Sequence, residues 1–189
     1  KLISNLENEA AKKDYKIILC NSKDTATKEK KYLDMCKSNR VDGIILCSGN
    51  VEYNMINTGN IPIVLLEKNF EKGKLGIQCD NYQGGCLATE HLIKCGCKRI
   101  VHFSGVIDEE MPADNREKAF IDICNKNNVE YFIKKFDINT YNEMNYYEYI
   151  KNTLSEIDGV DGMFASSDLI AAQVIQVCNE LNIIYKKII

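Results

Sequence analysis

The stretch CLATEHLIKCGCKRIVHF, residues 86–103, decides the fold, because a helix signal ends in it and a strand signal begins. CLATEHLIKC has helical spacing and stops at Gly96, and glycine is the usual residue just past a helix end because it accepts the left-handed conformation. RIVHF, residues 99–103, then has the length and residue types of a buried strand. The same stretch holds His91, Cys95, Cys97 and His102, a set that suggests zinc. On the helix-then-strand reading Cys95 closes the helix, Cys97 lies in the turn and His102 stands about 16 Å along the strand from it. That is too far for one tetrahedral ion, and a C-x-C spacing is not a zinc knuckle. No metal and no cofactor are expected here, and the absence of any C-x-x-C removes the common redox motif.

Working outward, short β-rich runs recur at residues 15–20 (YKIILC), 42–47 (DGIILC), 62–66 (PIVLL), 75–79 (LGIQC), 99–103, 130–136 (EYFIKKF) and 161–165 (DGMFA). Helically spaced segments lie between most of them: LISNLENEAAKK, ATKEKKYLDMCKSN, CLATEHLIKC, REKAFIDICNKN, MNYYEYIKNTLSEI and DLIAAQVIQVCNEL. Repeated alternation of strand and helix, with only two prolines and no low-complexity linker, predicts an α/β fold with mostly parallel sheets covered by helices. Residues 75–85, LGIQCDNYQGG, follow the strand at 62–66 without a full intervening helix, and a Gly pair then opens a new βα series. This reads as a crossing between two lobes, residues 1–79 and 80–189.

The composition fits a globular chain: 189 residues, 45% apolar, net charge −3 with the two signs intermixed. No basic stripe is present to neutralise a phosphate backbone, so this chain alone is not expected to hold DNA. No run approaches the length of a membrane span and no export signal opens the chain, so no membrane association is expected. Nine cysteines, an odd number spread through the predicted elements, suggest reduced thiols and a cytoplasmic setting.

Enzymatic motifs are weak. Gly84 and Gly85 could cradle phosphate, but neither a dinucleotide fingerprint nor a P-loop surrounds them, and they read as letting a helix N-terminus pack close to a strand. Ser104, Ser166 and Ser167 lack a nucleophile elbow, and the carboxylates of residues 108–110 read as a solvated loop.

Taken together, VDGIILCS (41–48), IPIVLLEK (61–68), CDNYQGGCLATEHLIKCGCKRIVHFSG (79–105), REKAFIDICNKNNV (116–129) and DGMFASSDLIAAQVIQVCNELNI (161–183) resemble the effector-binding region of LacI/GalR-type transcriptional regulators over nearly the whole chain. Cys97 stands where that pattern usually has His, and Ala119 replaces the Gly of its R-x-x-G-F motif. The resemblance implies the periplasmic-binding-protein type I fold: two Rossmann-like, doubly wound parallel-sheet lobes with an effector held in the cleft between them. It also implies truncation at both ends, with the inner strand of the first lobe and the last elements of the second missing, and a helix-turn-helix DNA-binding domain upstream. Position by position, it implies that Arg116, Glu67, Lys68, Ser48, Ser167 and Asp168 contact the effector.

That set makes chemical sense for a carbohydrate effector. A carboxylate can accept two hydroxyl protons while a guanidinium donates in a fixed plane. The function expected is a ligand-sensing domain, not an enzyme, that controls operator DNA binding by a homodimer, with Tyr32, Leu33 and Cys36 at helical spacing on a pairing helix. The alternatives are a sugar-type solute-binding protein of an ABC transporter, which shares the fold, and an α/β enzyme using the same cleft.

Overall fold

A computed structural model describes residues 1–22, 25–47, 59–67, 75–106 and 112–189. The chain forms two compact units, one built on Lys1–Leu66 and the other on Gly76–Ile189, to which Glu67 also belongs. The division falls ahead of the 79/80 boundary expected from the Gly pair. Its cause is local: the Glu67 N–H donates to the Ile77 carbonyl at 2.9 Å, and Glu67 Oε1 accepts from the Cys79 N–H at 2.7 Å, which ties residues 77–79 to Glu67.

In the first unit, helices α1 (Leu2–Ala11) and α2 (Ala26–Ser38) precede strands β1 (Ile44–Leu46) and β2 (Ile63–Leu66). The two strands pair in parallel with Ile44 opposite Ile63 and Leu46 opposite Leu65. Leu33 of α2, Leu46 and Leu65 are buried here, so Leu33 lies in the interior and is not offered to a partner. The run at 15–20, expected as a strand, forms none, and Ile18 and Leu19 are 65% and 68% exposed. An apolar run makes a strand only when a neighbouring strand takes up its backbone donors and acceptors, and here the Tyr15 N–H turns back to the Ala10 carbonyl of α1 at 3.0 Å.

The second unit begins with the two-residue strand β3 (Gly76–Ile77) and helix α3 (Asn81–Lys94), then β4 (Arg99–Val106), a 3₁₀ turn (Pro112–Asp114) and α4 (Asn115–Lys126). There follow β5 (Glu130–Phe136), α5 (Ile138–Glu143), α6 (Tyr147–Glu156), β6 (Gly162–Ala165), α7 (Asp168–Glu180) and β7 (Lys187–Ile188). Four of the strands form a sheet of order β5-β4-β6-β7, parallel throughout. The resemblance implies that this last strand is missing, yet Lys187–Ile188 form β7. Its pairing with β6 is completed by Lys186 N–H to Asp161 O and Ile189 N–H to Met163 O.

α3 starts five residues before the expected Cys86, because the Asp80 carboxylate accepts the Gln83 N–H at 2.9 Å and caps it there. Its end is as the sequence indicates. Gly96, at φ +84°, donates to Ile93 O, and Cys97 N–H reaches back to Leu92 O, which is a Schellman closure.

β4 is buried on both faces, as the central strand of a parallel sheet must be. Val101 and Phe103 join Ile150, Leu154, Val174 and Val177 of α6 and α7 in one core. Ile100 packs on the other face with Leu92 of α3 and Phe120 and Cys124 of α4. His102 points the same way, stacked on Phe164 at 4.3 Å with Phe120 at 5.1 Å. Its Nδ1–H donates to Phe164 O at 2.9 Å. Meanwhile His91 and Cys95 face each other at 3.5 Å on the exposed side of α3, and Cys97 is buried with its thiol on Asp161 O. The four residues of the apparent cluster are therefore divided between surface and core. Among the described residues no group of three His, Cys, Asp or Glu side chains is placed to hold a metal ion.

The Gly pair lies inside α3 rather than at its front, and its packing partner is a helix rather than a strand. A Cβ on Gly85 would lie 2.7 Å from the Arg116 carbonyl oxygen and 2.8 Å from both Arg116 Cα and Ala119 Cβ. The absence of a side chain there lets α3 and α4 touch.

Gly85→Ala forces the helices apart and should lower stability in urea unfolding by about 1–3 kcal/mol, the range for overpacking. Gly84→Ala, with nothing within 4 Å, should be neutral or slightly stabilising. Burial pushes the His102 imidazole down to about 4, from about 6.5 in the unfolded chain, so the folded state favours the neutral ring. Its contribution is complete above pH 6.5 and is lost as pH falls toward 4. Over that interval His102→Phe should flatten the stability-versus-pH curve by up to about 3 kcal/mol.

Candidate functional site

In an open parallel sheet the chain leaves the carboxyl ends of neighbouring strands in opposite directions at one point, and a crevice opens there. In the second unit that point is at β4: the chain passes from β4 to β5 on one side, then returns across to β6 on the other. The carboxyl ends of β4 and β6 carry Ser104, Ser166 and Ser167, and the first turn of α4 brings Arg116 and Glu117 to the same end.

Arg116 is half-buried and held by two backbone carbonyls, Nε on Ala113 O at 3.4 Å and Nη1 on Ser166 O at 3.2 Å. The Gly85 contact holds its main chain against α3. Glu67 belongs to the same unit and is exposed. A side-chain hydrogen bond from Cys79 is the largest influence on its carboxyl, and with the Cys79 backbone N–H and the nearby Arg116 charge it holds the group below its ordinary range against the opposing effect of burial. The same interaction pushes the Cys79 thiol up. Glu67 sits at φ +53°, in the left-handed region that costs a non-glycine residue about 1–2 kcal/mol. Strain of this kind persists only where surrounding bonds fix it, and here the bonds to Ile77 and Cys79 do so.

Ser167 is the N-cap of α7, its hydroxyl oxygen accepting the Ile170 N–H at 3.3 Å, so the hydroxyl still has a proton to donate. Asp168 follows it, exposed, in the first turn of the helix. Ser48 and Lys68 lie outside the described residues, as do the carboxylates at 108–110. Of the six residues expected to contact an effector, four are thus placed in the second unit, with Arg116 and Glu67 close enough for their charges to act on each other.

Sequence reasoning missed the polar network behind Arg116. Ser104 Oγ donates to Glu117 Oε2 at 2.5 Å, and Lys135 of β5 pairs with Glu117 Oε1 at 3.1 Å. Ser166 Oγ donates to Ser104 O at 3.3 Å. Nothing in local spacing links residues 104, 117, 135 and 166, and the sequence around Ser104 offers only a nucleophile reading that lacks its elbow.

Residues 1–182 match the family model described as periplasmic binding proteins and sugar binding domain of the LacI family. The sucrose operon repressor of Streptococcus mutans is 30% identical over 182 residues, covering 96% of this chain and 55% of that protein. The ribose operon repressor of Halalkalibacterium halodurans is 32% identical over 167 residues, covering 88% of this chain and 49% of that one. The chain therefore spans about half the length of the repressors it matches. Among solved structures, a periplasmic binding protein/LacI transcriptional regulator from Alkaliphilus metalliredigens, complexed with D-xylulofuranose, superposes with a TM-score of 0.78 at 30% identity. That match covers 96% of this chain and 66% of the other. With parallel α/β units, a polar cluster at the strand ends and a family match over nearly its whole length, the chain belongs to the family of periplasmic binding proteins and LacI-type sugar-binding domains.

Proposed function

We propose that this chain is the ligand-sensing domain of a LacI-type transcriptional regulator and that it binds a small carbohydrate. The observation that carries the reading is the half-buried Arg116 held at the strand ends of the second unit by the Ala113 and Ser166 carbonyls, with the Glu67 carboxylate in the same unit. The guanidinium offers planar donors and the ionised carboxylate offers acceptors, the combination that vicinal hydroxyl groups require. Ser167 and Asp168 add a hydroxyl and a second carboxylate at the start of α7, and Ser48 and Lys68 complete the proposed contacts. The named relatives support a sugar, since they are repressors of sucrose and ribose operons and a regulator complexed with D-xylulofuranose. Those relatives favour a regulator over a transporter component.

In this reading the protein acts in the cytoplasm, where a chain with nine cysteines keeps its thiols reduced. It performs no reaction. Operator DNA is held by a separate upstream domain, and a homodimer presents two such domains to a two-fold site. Leu33 is inside its own unit, so the pairing surface of that dimer does not use it. Effector binding shifts the population between operator-competent and incompetent forms by its differential affinity for them.

The reading is tested by calorimetry with sucrose and with D-ribose. At least one should bind, and Arg116→Ala should weaken it by about 1.5–3 kcal/mol, the range for a charge-assisted hydrogen bond. Unchanged affinity in the variant would remove Arg116 from the site. Binding of neither sugar would remove the carbohydrate class suggested by these relatives.

A further inference from the structure

Arg116 and Glu117 are consecutive residues of α4, yet their side chains reach two different strand ends, and the bonds they make close a ring. From Arg116, Nη1 donates to the Ser166 carbonyl at 3.2 Å. From Ser166, the hydroxyl donates to the Ser104 carbonyl at 3.3 Å, and its N–H donates to Phe103 O at 3.0 Å. From Ser104, the hydroxyl donates to Glu117 Oε2 at 2.5 Å. The Glu117–Arg116 peptide completes the circuit. Glu117 uses its second oxygen on Lys135 at 3.1 Å, and its side chain is only 16% exposed.

The ring meets β4 at an irregularity. The β4–β5 register shifts between Phe103 and Val106, and Ser104 and Gly105 occupy that shift. A register shift frees a strand end to present its side chain and carbonyl to groups other than the ladder. Ser104 uses both, the hydroxyl toward α4 and the carbonyl toward the residue that follows β6.

We propose that Glu117 is a positioning residue for Arg116. Its carboxylate, anchored by Lys135 and Ser104, fixes the first turn of α4 to the ends of β4 and β5, and through Ser104 and Ser166 it holds the carbonyl on which the Arg116 guanidinium rests. Gly85 closes the remaining direction, because the Arg116 main chain already lies against α3. Arg116 is thereby kept from the many rotamers of an arginine at a helix start, and a ligand it meets need not restrict them. The functional consequence rests on the reading of Arg116 as an effector contact; the positioning itself does not.

The sequence has only three arginines, Arg40, Arg99 and Arg116, so their Nε–Hε signals in a ¹⁵N NMR spectrum can be assigned by substitution. In the unaltered chain the Arg116 signal should show a large heteronuclear NOE, as a side chain held at two carbonyls does, while exposed Arg40 shows a small one. Glu117→Ala should lower the Arg116 value toward that of Arg40. Glu117→Gln, whose amide oxygen can still accept from Ser104, should keep most of it. Ser104→Ala breaks the same ring from the strand side, leaves the Lys135 pair in place and should act like Glu117→Ala, which covers the case in which one variant does not fold. A rigid Arg116 in folded Glu117→Ala and Ser104→Ala would overturn the proposal, whatever sugar binds. In calorimetry with sucrose or D-ribose, Glu117→Ala should weaken binding about tenfold, and combined with Arg116→Ala it should cost no more than Arg116→Ala alone. A mobilised Arg116 with unchanged sugar affinity would uphold the positioning and remove Arg116 from the effector contacts.

Discussion

The second unit depends on one strand being buried on both sides. β4 has β5 on one edge and β6 on the other, and its alternating side chains feed two separate cores, Val101 and Phe103 toward α6 and α7, Ile100 and His102 toward α3 and α4. Asp161 fixes the amino end of this arrangement: one carboxylate oxygen accepts the Lys98 and Arg99 N–H groups, and the other pairs with Lys186. With the entry to β4 fixed against β6 and its middle fixed by packing, the carboxyl end is the place where register is allowed to shift, between Phe103 and Val106. The polar residues gather at that end. Core and candidate site are thus two ends of the same constraint.

Histidine 102 shows what that constraint does to chemistry. Exposed beside two cysteines it would be a ligand or a base. Placed between Phe164 and Phe120, with its one donor on a main-chain carbonyl, it is a flat apolar filler whose charged form the core rejects. Burial treats the thiols likewise, pushing Cys124 up to about 12 and Cys178 up to about 11, so the nucleophilic form of neither is populated near neutrality. The cysteine richness of the sequence is, for these residues, a matter of small apolar volume.

Much of this was legible in the residues. The strand EYFIKKF is observed with its expected bounds, and the helix stop at Gly96 appears as a Schellman closure. The errors have physical causes. YKIILC has strand composition, but a strand is a relation between two segments, and composition describes only one. α5 is too short for periodicity to show, although Asp137, which accepts the Asn139 and Thr140 N–H groups, is the capping signal that marks it. The Gly pair was assigned the right purpose, close approach, with the wrong partner, since nothing in a helical run says which neighbour it meets. In the site, the resemblance pointed to Arg116 and Glu67, while the Ser104–Glu117–Lys135–Ser166 network joins residues up to 62 positions apart and has no local pattern to read.

The way charges are paired at the strand ends separates the scaffold from the candidate contact. Lys135 has Glu117, Lys186 has Asp161 and Arg99 has Glu130, each within about an ordinary hydrogen-bond length. Arg116, by contrast, is held among the described residues by neutral carbonyls at 3.2 and 3.4 Å, long bonds that orient a guanidinium without neutralising it. Its field is felt by Glu67 and Cys79. A cation fixed in direction but not fully paired retains donors and charge for a ligand, whereas a cation locked into a bidentate carboxylate pair would have to break that pair first. Fixing orientation with carbonyls on one side and a glycine contact on the other, where Gly85 meets α4 at both Arg116 and Ala119, provides rigidity without spending the charge.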